Sequence, residues 1–419
     1  MKSSIAVVGC GIAGDQAAFS ARSADPEARI IIFTREPQPL YSACVLADYV
    51  AGEIPQSRVF LRRPEDYERA GIELLLSKKV MDWSPDRRTL HLEDGELSYD
   101  KLVLATGSHS FIPPLPGLDK EGVFTLKNLS DADLLREVTG RSAAVIGSGP
   151  VGIEAAVALR RRGFVVVLFE LLDRVLPGLF DPPIAKSLQT LLVREGIEVH
   201  TGERLLEILG DGRVKAIRTD RGRVPCDLVV LVIGMRPDVS LAKRGGIELG
   251  SSGGILVDDA MATSRAGVWA CGDCIESRDR ITGRRGLNML WHNARWQGNI
   301  AGANAGGDNR HYPGSLNITT VNIFDCGAAT VGSLASDIPE DEAKVIHRKG
   351  PWGEFRLVLR GERLVGVQAL GRIERVGGLL GILLRGGEIR ETLERGPIHQ
   401  GRELWALRGV QRELREILN

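Results

Sequence analysis

The sequence predicts an α/β protein with two parallel-sheet units, the second inserted into the first, followed by a smaller α+β unit. Three observations carry this reading. The segments SIAVVGCGIAGDQAAFSA and SAAVIGSGPVGIEAAVAL lie 138 residues apart, and each reads as a continuous apolar strand, a GxGxxG loop and an alanine-rich helix. Short buried-type strands recur between helical stretches, and runs apolar along their whole length belong to parallel sheets covered on both faces. The pattern changes near residue 313, beyond which apolar and polar residues alternate.

Taken in order, each glycine loop is followed by a second strand, ARIIIFTRE and FVVVLFELLDR. Further buried strands are expected in YDKLVLATG (99–107), CDLVVLVIGM (226–235) and AGVWACGD (266–273). The proline-rich FIPPLPG (111–117) and the return segment IGMRPD (233–238) bracket the second unit. The expected domains are 1–112 with 236–312, the inserted 113–235, and 313–419. In the last, LNITTVNIFDCGAATVG, AKVIHRKG, EFRLVLRG and ERLVGVQALG read as antiparallel strands, with Arg360 to Glu362 as a turn. The end of the chain places Leu404, Leu407, Val410, Leu414 and Ile417 on one helical stripe, expected to dock on its own domain.

A chain of 419 residues with 43% hydrophobic and 26% charged residues is ordinary for a globular protein of two or three domains. Its 54 basic residues balance 54 acidic ones, so no net field holds nucleic acid or an anionic membrane. No apolar run reaches the eighteen or so residues of a membrane span, and Met1 leads into a strand without a cleavage-site pattern. The six cysteines are scattered, unlike a disulfide framework or a metal-cluster spacing. A cytoplasmic location is expected.

Gly9, Gly11 and Gly14 follow a strand and open a helix, so backbone can approach a pyrophosphate lying on the helix's positive end. Glu36 stands 22 residues after Gly14, where an acidic side chain accepts hydrogen bonds from a ribose. Gly147, Gly149 and Gly152 repeat the motif, and Glu170 ends the next strand. A carboxylate there binds ribose hydroxyls and repels a 2'-phosphate, which favours NADH over NADPH; nearby Arg174 softens the preference.

Together, these two Rossmann-like units, KLVLATG and GVWACGD resemble the FAD- and NAD(P)-dependent flavoproteins that include the pyridine-nucleotide disulfide reductases. The resemblance covers about residues 1–312. It implies that the first unit binds FAD and the inserted one NAD(H). It also implies that Ala105, Thr106 and Gly107 join the domains, that Asp273 bonds the ribitol side of FAD, and that Glu154 lies near nicotinamide and flavin. The first domain lacks CxxxxC and the terminus lacks an HP segment, unlike glutathione reductase and lipoamide dehydrogenase. Cys271 and Cys274, the CxxC around Asp273, read as packing residues. REPQPLYSACVLADYVAGEI and the strands after residue 353 resemble a narrower group: NADH oxidases, coenzyme A disulfide reductases, rubredoxin and ferredoxin reductases, and flavin subunits of larger oxidoreductases.

Within that group Cys44 aligns with the single redox cysteine of the coenzyme A disulfide reductases. Ser42 as N-cap places the thiol in the first turn of a helix, which is expected to lower its pKa. Two features depart from those enzymes: CVLADY replaces a Cys-Gly-Leu-Pro-Tyr type of run, and no tyrosine follows Tyr312. The expected function is FAD-dependent electron exchange between NAD(H) and an iron–sulfur protein partner. In that reading the protein works as an oligomer or as the flavin subunit of an aldehyde- or 2-oxoacid-oxidising complex. The alternatives are a single-cysteine reductase of coenzyme A disulfide, sulfur or oxygen using Cys44, and a flavoprotein scaffold without turnover. Arg278, Arg280, Arg284 and Arg285 offer a surface to an acidic partner or form a solvated loop. His292 either donates a proton near the flavin or packs beside Trp291 and Trp296.

Overall fold

Two parallel five-stranded sheets and one antiparallel five-stranded sheet organise the computed structural model, which describes residues 2–350 and 353–386. The stripe from Leu404 to Ile417 lies outside the described residues. The chain begins with β1 (Ser4–Val8), α1 (Ile12–Ala24), β2 (Arg29–Phe33), α2 (Leu46–Ala51), β3 (Ile72–Leu75) and β4 (Lys101–Leu104). The inserted unit holds β5 (Val123–Phe124), α3 (Leu129–Glu137), β6 (Ser142–Ile146), α4 (Pro150–Arg161), β7 (Val165–Glu170), α5 (Pro182–Arg194), β8 (Ile197–Thr201) and β9 (Leu228–Leu231). The chain then returns with β10 (Val268–Ala270) and α6 (Trp291–Gly306).

The first sheet runs β10-β4-β1-β2-β3 and the second β8-β7-β6-β9-β5, all parallel. Their central strands are buried on both faces, so the uninterrupted apolar runs SIAVV and SAAVI are what the sheets require. The same local geometry recurs in both units. Gly9 N–H donates to Phe33 O and Gly147 N–H to Phe169 O, each at 2.8 Å, as the strand turns into its glycine loop. The linkers crossing between the units pair as a ribbon, Ser108–Ser110 against Met235–Pro237.

Helix α6 lies directly on α1. A Cβ at Gly298 would stand 2.2 Å from Ala13 O, and one at Gly302 only 1.9 Å from Ala17 O, so the two backbones touch where any side chain would separate them. The third sheet, β11 (Ile318–Ile323), β12 (Cys326–Gly332), β13 (Ala343–Gly350), β14 (Gly353–Arg360) and β15 (Arg363–Gly371), has order β11-β12-β15-β14-β13. All its pairs are antiparallel, the expected turn falls between Arg360 and Arg363, and α7 (Val376–Arg385) covers one face.

A buried polar knot fastens this sheet to the inserted unit. Asp181, 3% exposed at the start of α5, accepts from Arg356 Nε (2.7 Å) and Gln368 Nε2 (2.8 Å), and its N–H donates to Gln368 Oε1 (2.8 Å). Two small antiparallel sheets, 80–98 and 205–225, were not anticipated from the sequence.

Candidate active site

A cavity of about 1850 Å³ runs past both glycine loops to β11 of the third sheet. It exceeds the roughly 300–1,000 Å³ of a site for one small ligand. Gly9, Gly11, Gly147 and Gly149 line it; Gly14 and Gly152 do not. Their part is packing. A Cβ at Gly14 would meet Gly9 O at 2.0 Å and one at Gly152 would meet Gly147 O at 1.9 Å, so only glycine lets each helix seat against its own loop. Gly11 and Gly149, by contrast, have nothing within 4 Å of a Cβ: they face open cavity. Both helices start at these glycines without a side-chain cap, leaving first-turn N–H groups for an anion. The two cradles therefore fit two dinucleotides.

Glu36 and Glu170 both line the cavity, and each is held by its own chain. Tyr41 Oη donates to Glu36 Oε2 (2.7 Å) and accepts from Leu129 N–H (3.2 Å), which ties the first unit to α3. Glu170 accepts from Ser148 Oγ (2.6 Å), Ser148 N–H (3.0 Å) and Leu172 N–H (2.9 Å). Sequence reading named the carboxylates and missed their anchors. Tyr41 was in view within PLYSAC, but nothing local marked it as the partner of a glutamate. Arg174 is not part of the cavity wall; its Nη1 pairs with Asp173. Arg204 is part of it, a cation that no motif in the sequence marks.

Ala105, Thr106 and Gly107 line the cavity where the linkers cross. Thr106 Oγ1 donates to Asp238 O (2.6 Å) and Asp238 N–H to Gly107 O (2.9 Å). Asp273 accepts from Ser108 Oγ (2.7 Å) and pairs with Lys127 Nζ (3.3 Å), which brings a cation from the inserted unit to the first. Cys271 and Cys274 beside it are fully buried free thiols, and Cys274 Sγ donates to Cys271 O (3.3 Å), as packing residues do.

The Cys44 segment corrects two expectations. Ser42 makes no side-chain cap, and residues Ala43–Val45 form a single 3₁₀ turn before α2 begins at Leu46. The thiol consequently lacks the aligned amides of an α-helical first turn. Although exposed to the cavity, Cys44 has its pKa raised rather than lowered, because the surrounding walls desolvate the thiolate and the Glu154 carboxylate repels it. A bond from Ser42 and the charge of Lys127 oppose this and do not prevail. Glu154 also lines the cavity, and burial, aided by Asp48, pushes its carboxyl up to about 7. His292 donates from Nε2 to Leu316 O (2.9 Å), and burial lowers its pKa, so its imidazole is neutral and that proton is committed. Of the four arginines after Asp273, Arg278 meets Asp259, Arg280 the carbonyl of Leu384 and Arg285 that of Val257. Among the described residues only Arg284 of this set lacks a side-chain partner.

Comparisons with known proteins agree with this arrangement. The sequence profile of the family described as pyridine nucleotide-disulphide oxidoreductase matches residues 3–298. An NADH oxidase from Methanocaldococcus jannaschii is 34% identical over 341 residues, 78% of this chain and 76% of the relative. A subunit epsilon of an NADH-dependent phenylglyoxylate dehydrogenase from Aromatoleum evansii is 31% identical over 340 residues, 80% of each chain. The structure of an NAD-dependent persulfide reductase from A. fulgidus superimposes with a TM-score of 0.90 at 26% identity, over 99% of this chain and 83% of that one. The twin glycine cradles, the inserted unit and these matches together make the chain a member of the pyridine nucleotide-disulphide oxidoreductase family, an FAD-dependent oxidoreductase that uses NAD(P)H.

Proposed function

We propose that the protein carries the flavin of an NAD(H)-linked electron-transfer system, exchanging electrons with an iron–sulfur protein or subunit. The observation behind this reading is the turn that carries Cys44, a 3₁₀ turn without the aligned amides of a helix start, where desolvation first and the Glu154 charge second raise the thiol's pKa. A protonated thiol is a poor nucleophile. The other cavity thiols are no better placed: Cys10 is buried and pushed up to about 12, and Cys271 is fully buried. Bound in the first cradle, FAD would supply a group able to take up a hydride and give up electrons singly, which suits a bridge to a one-electron carrier. The chain's residues orient and insulate: Glu36 held by Tyr41, Asp273 held by Ser108 and Lys127, and Glu154 exchanging its proton near neutral pH. Similarity to a subunit of a larger NADH-dependent dehydrogenase supports the partner, as does the lack of cysteine spacing for a cluster in this chain.

A second reading has its own support, since Cys44 does stand on the cavity wall and a persulfide reductase shares the fold. Anaerobic titration with NADH separates the two. The expected outcome is full bleaching of the flavin in wild type and in Cys44→Ser, no thiolate-to-flavin charge-transfer band at pH 7, and turnover with a one-electron iron–sulfur acceptor retained within about twofold. A band that disappears in Cys44→Ser together with turnover sinks the partner reading in favour of the thiol. Failure of NADH to bleach the flavin sinks both and leaves a scaffold.

A further inference from the structure

We infer that Ser148 is the latch that fixes Glu170 against NADP(H) and so sets the dinucleotide preference. The inference rests on the reading that Glu170 faces the ribose of a bound nicotinamide dinucleotide.

Ser148 is the central residue of the second glycine loop and is 0% exposed. Its hydroxyl donates to Glu170 Oε2 at 2.6 Å, its N–H donates to the same oxygen at 3.0 Å, and its Oγ accepts from Leu176 N–H at 3.3 Å. Leu172 N–H occupies Oε1 at 2.9 Å. A carboxylate offers about four acceptor positions. Three are taken by the protein, so a single position on Oε1 is left for a ribose hydroxyl.

The arrangement therefore restrains the carboxylate more than it prepares it to bind two hydroxyls. A free glutamate turns aside from an arriving phosphate. This one is tied by charge-assisted bonds, the strongest class, at 9% exposure, where charge repulsion is weakly screened. A cation is already present to reward a 2'-phosphate if the carboxylate yields. Glu203 N–H donates to Glu170 O at 3.0 Å, and the next residue, Arg204, lines the cavity with a guanidinium that makes no ion pair or hydrogen bond among the described residues. The hydroxyl of Ser148 thus decides between a stationary negative charge and an accessible positive one.

The test is equilibrium binding of NAD+ and NADP+ to the oxidised, FAD-loaded protein by isothermal titration calorimetry. The quantity read is the ratio of the two dissociation constants, because general loosening of the loop weakens both dinucleotides alike. Wild type is expected to prefer NAD+ and Glu170→Gln to lose most of that preference. Ser148→Ala should lower the ratio about tenfold, as loss of one charge-assisted bond allows, and Ser148→Thr, which keeps the hydroxyl, should hold it. If Ser148→Ala does not fold, Ser148→Cys fills the same space with a weak donor and carries the same expectation of a lowered ratio. A ratio unchanged in Ser148→Ala or Ser148→Cys while Glu170→Gln shifts it overturns the latch and leaves the ribose reading standing. A ratio unmoved by Glu170→Gln overturns the ribose reading itself.

Discussion

Replacing Glu154 by glutamine tests whether the cavity holds a carboxyl that titrates near neutrality. Its folded-state pKa lies at about 7 against an ordinary 4.5, with burial the main cause and Asp48 second. The group is neutral in both states below pH 4.5. Between 4.5 and about 7 the unfolded chain ionises and the native one does not, so native stability falls with rising pH. Above 7 both forms ionise and the loss levels off. With about 1.4 kcal/mol for each tenfold difference in proton affinity, the full cost comes to somewhat over 3 kcal/mol, as an order of magnitude. Most of it, on the order of 2–3 kcal/mol, accrues between pH 5 and pH 8. Urea unfolding of wild type and Glu154→Gln at those two pH values should show the mutant gaining that amount relative to wild type as pH rises. The same substitution removes the carboxylate that repels the Cys44 thiolate, so alkylation of Cys44 by iodoacetamide should quicken at pH 8. Stability curves that stay parallel within ~0.5 kcal/mol over the range would refute the reasoning.

Two further outcomes follow from the packing. Gly11→Ala places a methyl in open cavity on an ordinary backbone, so apo-protein stability should stay within about 0.5 kcal/mol while FAD retention on gel filtration drops; Gly14→Ala drives a Cβ into Gly9 O and should lose both. Arg356→Met strands the buried Asp181 with Gln368 Nε2 and the distant amide of Ala335 (3.3 Å). It should cost about 2–3 kcal/mol in urea unfolding, somewhat less than a buried pair stripped of every other donor, and a loss below ~0.5 kcal/mol would disprove a working ion pair.

Much of this architecture was legible because buried parallel strands must be apolar throughout and nucleotide loops must be glycine. The runs around Ile5, Ala144, Leu102 and Val230 sit where expected, and the alternation after residue 313 produced the antiparallel sheet. The small sheets at 80–98 and 205–225 escaped notice because strands of three to five residues with half-exposed faces carry little periodicity. The turn at Cys44 differs from expectation for another reason: Ser42 followed by an apolar run looks like a helix cap, yet the chain makes a 3₁₀ turn there before α2 begins. The anchors of the two glutamates were invisible because each joins residues brought together only by the folded loop.

The contact of α6 with α1 bears on how the protein responds to redox change. Glycines at 298 and 302 bring backbone onto backbone at Ala13 and Ala17, so the spacing of the two helices is set by van der Waals contact of main chains and not by rotamers. That wall of the cavity acts as a stiff bracket with almost no compliance. Any mechanical signal of flavin reduction must then travel through the parts of the lining built from side chains and short turns, the Cys44 segment and the Thr319, Thr320 and Asn322 strand, and those are the places to look for motion.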